Sequence, residues 1–87
     1  MHRALAAARD LWRAAETRGA ALEAAARDVL AAEPLVRDIE YVSVADWDSM
    51  AELDVVGPAA PGRPAGVLSV AVRVGEVRLI DNLPLEA

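Results

Sequence analysis

The stretch from Gly66 to Asn82, GVLSVAVRVGEVRLIDN, leaves this chain the fewest choices of fold. Leu68, Val70, Val72 and Val74 alternate with Val67, Ser69, Ala71 and Arg73. One face of an extended segment is therefore wholly branched and apolar while the other is small or polar, the pattern of a half-buried antiparallel strand. Gly75 and Glu76 follow as a two-residue connection. Glycine stands in the first central place, where a type II′ turn requires positive φ. A second strand then runs from Val77 to about Asn82. With that turn Val74 faces Val77 and Val72 faces Leu79, so the apolar residues of both strands share one face and the register is set by the sequence.

The same register places Arg73 directly opposite Arg78. Like charges facing each other across a strand pair cost from a few tenths to about 1 kcal/mol, so an anion is expected between them. It can come from within, as Glu40 or Asp38 on a neighbouring strand, with solvent screening as the weaker substitute. It can also come from outside, which would make Arg73 and Arg78 a docking or anion-contact surface for an acidic group or phosphate on another domain.

The chain has 87 residues, enough for one domain spanning 1–87 and one layer of helices on one sheet. Its formal charge is −5, and its nine basic residues are all arginines scattered from Arg3 to Arg78. A nucleic-acid binder needs a basic stripe to exchange for phosphate counterions, and the sequence offers none. Cysteine is absent, which excludes a disulfide framework and a thiolate metal site. The apolar run Ala4 to Ala8 is interrupted by Arg9, Asp10 and Arg13, too early for a signal-peptide core or a membrane span. A cytoplasmic protein with no membrane partner is the expectation.

Leu5, Ala8, Leu11, Trp12 and Ala15 recur at helical spacing and predict a first helix from about His2 to Thr17. Gly19 is expected as its left-handed terminator. A second helix is predicted from about Ala20 to Glu33, with Leu22, Ala25, Ala26, Val29 and Leu30 on one face and Pro34 as its stop. Glu23 and Arg27 form an i,i+4 pair on its wet face. A strand from Ile39 to about Ala45 comes next, with Ile39 and Tyr41 on one face and Val42 and Val44 toward the other. Ser49 with Glu52 reads as a capping box and predicts a short helix from Asp46 to about Leu53. Three prolines and two glycines make 55–65 an exposed loop. The expected fold is α+β: an N-terminal helical hairpin packed on a small three-stranded, largely antiparallel sheet, with one short extra helix.

The residues able to carry chemistry do not assemble a site. His2 is the only histidine and would have to support a triad or metal site alone. Asp46, Asp48, Glu52 and Asp54 form an acidic cluster, but the EF-hand spacing is missing and helix capping explains them better. Gly57, Gly62 and Gly66 lack the Gly-Lys-Ser/Thr that a phosphate loop requires. Trp12 and Trp47 are expected in the core and at its edge respectively, with no basic groove to make them a base-stacking platform. No catalytic, cofactor-binding or metal-ligating residue is assigned.

The order of elements carries a resemblance. Two alanine-rich helices are followed by Val29-Leu30-Ala31-Ala32-Glu33-Pro34, then Ile39-Glu40-Tyr41-Val42-Ser43-Val44, a short helix after Asp46, and Val70-Ala71-Val72-Arg73-Val74-Gly75 with Arg78-Leu79-Ile80-Asp81-Asn82. Over nearly the whole chain this resembles the C-terminal domain of the pantothenate synthetase (pantoate–β-alanine ligase) family, most specifically in the ending Gly75 to Asn82. Trp47 departs from the family pattern, which tends to place proline after that aspartate. The resemblance implies a ligase of pantothenate biosynthesis that activates pantoate with ATP and Mg to a pantoyl adenylate, which β-alanine then attacks. It also implies that this domain acts as a lid over the adenylate site of a nucleotide-binding catalytic domain, in cis or on a separate chain. That partner domain would carry the histidine motif and the Ser-Ser-Arg segment, so no cofactor and no catalytic competence are expected of this chain alone. A homo-oligomer is compatible with this reading. The alternative is a stand-alone interaction module that kept the lid fold without ligase activity and binds through the Arg73/Arg78 face.

Overall fold

A computed structural model describes residues 2–86. The chain order is α1 (His2–Arg13), α2 (Gly19–Ala31), β1 (Asp38–Ala45), β2 (Val67–Val74) and β3 (Val77–Pro84). The strands form one antiparallel sheet in the order β1-β2-β3, with the hairpin strand β2 at its centre. The expected α+β architecture of two helices on a three-stranded sheet holds. The hairpin register is the one dictated by alternation: Val74 pairs Val77, Arg73 pairs Arg78 and Val72 pairs Leu79. Gly75 has φ +61°, and Glu76 is not in the positive region, as a type II′ turn demands.

The core lies between the helices and the inner face of the sheet. Ala4, Leu5, Ala8 and Trp12 from α1 meet Leu22, Ala26 and Leu30 from α2 over Val42, Val44, Leu68, Val70 and Val72. Two further members escaped the sequence reading. Val56 and Leu85 are fully buried although one sits in a Pro/Gly-rich segment and the other beyond the expected end of the hairpin. Segment 55–65 is thus not wholly exposed. It is pinned through Val56, whose N–H donates to the Thr17 carbonyl at 2.7 Å, and through the Trp12 indole, whose Nε1–H donates to the Gly57 carbonyl at 3.2 Å.

The first helix stops at Arg13, short of the Thr17 that its spacing suggested, and Gly19 does not terminate it. Ala15 takes the left-handed conformation, φ 81°, and the Ala15 and Glu16 N–H groups close back on the Trp12 and Leu11 carbonyls in a Schellman motif. Gly19 instead opens α2 where two backbones touch. Its N–H donates to the Asp54 carbonyl at 2.8 Å, and a Cβ there would fall 2.2 Å from the Leu53 carbonyl oxygen. Glu23 is half-buried rather than on the wet face, and the expected Glu23–Arg27 ion pair is not among the salt bridges of the described residues.

Two local differences matter for the surface. The strand register shifts between Ile39 and Tyr41, so Glu40 is a bulge residue. Ile39 pairs Val72 and joins Val42 and Val44 on the inner face, while Tyr41 pairs Ala71 on the outer face, which corrects the expectation that Ile39 and Tyr41 share a face. The short helix after Asp46 is also absent. Asp46 instead accepts from the Asp48 and Ser49 N–H groups and the Ser49 hydroxyl, Met50 turns with φ 62°, and Glu52 bridges back to Ala45. The carboxylate bonds that would start a helix close an Asx turn here, because the chain must reverse to lay 52–53 beside β1.

Candidate functional site

With the helices on one side, the sheet leaves its other face open. Its outward rows run across the strands as Ala45–Val67–Pro84, where Ala45 and Val67 are buried, then Ser43–Ser69–Asn82, Tyr41–Ala71–Ile80 and Arg73–Arg78. Strict alternation from Val42 and Val44 would send Glu40 into the core. The bulge moves it outward, to the arginines.

There Glu40 bridges the two like charges. Arg73 Nε donates to one carboxylate oxygen at 2.9 Å and Arg78 Nε to the other at 2.6 Å. The Arg78 hydrogen bond first, then the charges of both arginines, hold the Glu40 carboxyl below the usual range. Of the sources of anion open to the sequence reading, the internal carboxylate Glu40 occupies the place between the arginines, while Asp38 pairs Arg73 only through the backbone register. Two guanidinium groups against one carboxylate leave the cluster with a net positive charge on a chain of formal charge −5.

The middle row was not singled out from the sequence. Tyr41 is half-buried, Ala71 fully buried and Ile80 51% exposed, which makes an apolar band between the arginine cluster and the serine row. The available signal was Ile80 itself, an isoleucine at the alternation position otherwise held by Arg78 and Asn82. Beside it on the inner side of β3, Val77 and Leu79 are 57% and 38% exposed, because the helices pack mainly over β1.

The other candidates separate. Asp46 closes its turn, Asp48 pairs with Arg63, Glu52 accepts from the Ser43 hydroxyl, and the Asp54 carbonyl holds Gly19. The Ser49 and Asp48 N–H groups, in that order, lower the Asp46 carboxyl. Among the described residues no three His, Asp or Glu side chains gather as a metal site would require. His2 is exposed at the start of α1. Trp12 is a core residue as expected, but Trp47 is 40% exposed on the Asx turn and lies outside the core cluster. Among the described residues no helix is long and apolar enough to cross a membrane.

Comparison with known proteins gives this geometry a context. Residues 1–84 match the family described as pantoate-beta-alanine ligase. The chain is 48% identical over 87 residues to the pantothenate synthetase of Roseiflexus castenholzii, covering all of this chain and 29% of that protein. It is 43% identical over 84 residues to the bifunctional pantoate ligase/cytidylate kinase of Gloeobacter violaceus, covering 95% of this chain and 15% of that one. The crystal structure of pantothenate synthetase from Thermus thermophilus superimposes with a TM-score of 0.79 at 27% identity, over 98% of this chain and 28% of that one. The chain thus spans less than a third of the length of these relatives. A match along nearly its whole length, in sequence and in fold, makes this chain a member of the pantoate-β-alanine ligase family.

Proposed function

We propose that this domain serves an ATP-dependent pantoate–β-alanine ligase as a lid, closing over the adenylate site of a nucleotide-binding portion that supplies ATP, Mg and the catalytic groups. The observation that supports this best is the division of the sheet. One face is consumed by the core, and the other presents an apolar band flanked by Arg73 and Arg78. Such a surface can exclude water and hold a partner in place, which are a lid's contributions to an adenylate-forming reaction. In this reading Arg73 and Arg78 contact an acidic group on the nucleotide-binding portion, and Glu40 keeps them parallel and ordered until they do.

Isothermal titration tests the proposal. The chain alone is expected to give no heat with ATP or with pantoate. Adding the larger portion of the Roseiflexus castenholzii enzyme is expected to produce binding of the chain, strengthened when both substrates are present. Tight ATP binding or turnover by the chain alone would contradict a lid.

A further inference from the structure

We infer that the open stretch of the β3 edge, Val77 to Ile80, is a strand-addition site for an extended segment of the larger portion that the relatives carry beyond the stretch matched here. The inference rests on the lid reading and names the surface by which the two parts are held in register.

An uncovered edge strand offers unpaired N–H and C=O groups to any extended chain, so a sheet has to protect its edges. At β1 the edge is managed twice. The Glu40 bulge interrupts it at one end, and at the other Leu53 N–H donates to the Val44 carbonyl at 3.0 Å while Glu52 bridges Ala45. On β3, the pair Val74–Val77 closes the two-residue turn, so antiparallel alternation turns residues 79, 81 and 83 toward β2 and 78, 80, 82 and 84 away from it. The far half of this outer edge is also guarded. Asn82 N–H is taken by the Asp81 carboxylate at 2.9 Å, and Pro84 has no N–H to offer.

Along β3, among the described residues, Arg78 and Ile80 are the outward positions whose N–H groups have no such guard. The exposed apolar side chains gather around these two positions: Val77 and Leu79 on the inner side and Ile80 on the outer. Backbone valence and apolar surface therefore coincide on one short segment, as in strand-addition sites, where main-chain bonds supply affinity and alternate side chains specificity.

Charge and length identify the occupant. Arg78 shares Glu40 with Arg73, so an incoming strand gains by placing a carboxylate beside Arg78 on the outer face and apolar residues against Leu79 and Ile80. The relatives hold about 70% of their length outside the matched stretch, from which such a strand can come. A second copy of this chain is a poorer fit, because it brings another arginine cluster to the same edge.

Amide hydrogen exchange at Arg78 and Ile80 tests the inference. It is compared in the chain alone, over a range of concentrations, and in a chimera of the Roseiflexus castenholzii enzyme whose matched segment is replaced by this chain. In the chain alone these two amides are expected to exchange at least tenfold faster than Leu79 and Asp81, whatever the concentration. In the chimera they are expected to slow at least tenfold. Unchanged exchange in a chimera that keeps Val70 and Val72 protected would overturn the inference, and slowing with concentration in the chain alone would assign the edge to a second copy instead.

If the chimera does not fold, association of the chain with the separately made larger portion is the readout. Ile80→Pro removes one outward N–H without touching the β2 ladder, and it is expected to weaken that association at least tenfold more than Ile80→Val. Equal effects, or no association, would also overturn the inference. The lid reading is scored separately by substrate-dependent heat, so equal effects of the two variants sink the edge site while leaving the lid standing.

Discussion

Leu68, Val70 and Val72 point into the helical layer and are fully buried, whereas Ser69 and Arg73, one residue away on the same strand, look outward over the face away from the helices. The inner face is continuous branched aliphatic surface. The outer face is graded from serines through an apolar band to a charged cluster held by one carboxylate. The main core therefore draws on one face of the sheet, while Tyr41, Arg73, Arg78 and Ile80 on the other keep surface available for contact. Substitutions should divide accordingly, with inner-face changes lowering stability and outer-face changes lowering association.

The largest effect is expected for Leu68→Ala, which empties a fully buried site in the centre of the core. Leucine-to-alanine changes in such places cost about 2–5 kcal/mol, to be read from urea denaturation midpoints. Next is Gly19→Ala, whose methyl would press on the Leu53 carbonyl oxygen. Overpacking of this kind costs about 1–3 kcal/mol, and the Gly19 and Val56 amide resonances should shift with it.

Glu40→Gln is expected to lose less, because the cluster is solvent-exposed and its gain is screened. What it leaves is Arg73 facing Arg78 with no carboxylate between. The loss should therefore shrink in about 1 M salt, whereas the Leu68→Ala loss should persist. Acid titration sharpens the same contrast. Glu16, drawn down to about 2 mainly by its hydrogen bond from Arg18, and Glu40 and Asp46, also lowered, all favour the folded chain when ionised. Their contribution is complete above the ordinary carboxylate range, near 4.5 for glutamate, and is lost as pH falls through the lowered values. Glu23 runs the other way, since burial foremost raises its carboxyl and its ionisation opposes folding as pH rises. Glu23→Gln should stabilise slightly at neutral pH. Ile80→Thr should change the stability of the chain alone least, within about 0.5 kcal/mol as for other surface substitutions.

Much of this division was legible in the sequence where two signals agreed. Alternation in Leu68 to Val74 and the glycine at Gly75 each specify the hairpin, and together they fix one register. Glu40 could be named as a partner for the arginines because a like-charge pair demands an anion. The bulge that delivers it left no mark, since Ile39, Tyr41, Val42 and Val44 are apolar on both sides and a shift of one residue changes no pattern. Asp46 and Ser49 misled for a related reason, because a carboxylate accepting from N–H groups two and three residues ahead reads alike at a helix start and in an Asx turn. Gly19 was read as a conformational terminator, but its value is the missing side chain where backbones cross, a tertiary fact that no local window contains. Val56 and Leu85 share that limit: a single apolar residue among prolines or near a terminus becomes core only when the rest of the chain encloses it.

We proposed that this domain shields a reaction for which the nucleotide-binding portion supplies the catalytic groups. That role is tested most directly by the ratio of AMP released to pantothenate formed when the larger portion of the Roseiflexus castenholzii enzyme works with and without this chain. Without it, water should intercept the adenylate and AMP should exceed pantothenate. With it the two should approach equality, while Arg73→Glu/Arg78→Glu leaves the excess in place. A ratio that ignores the chain, or AMP formation from ATP and pantoate by the chain alone, would contradict the account.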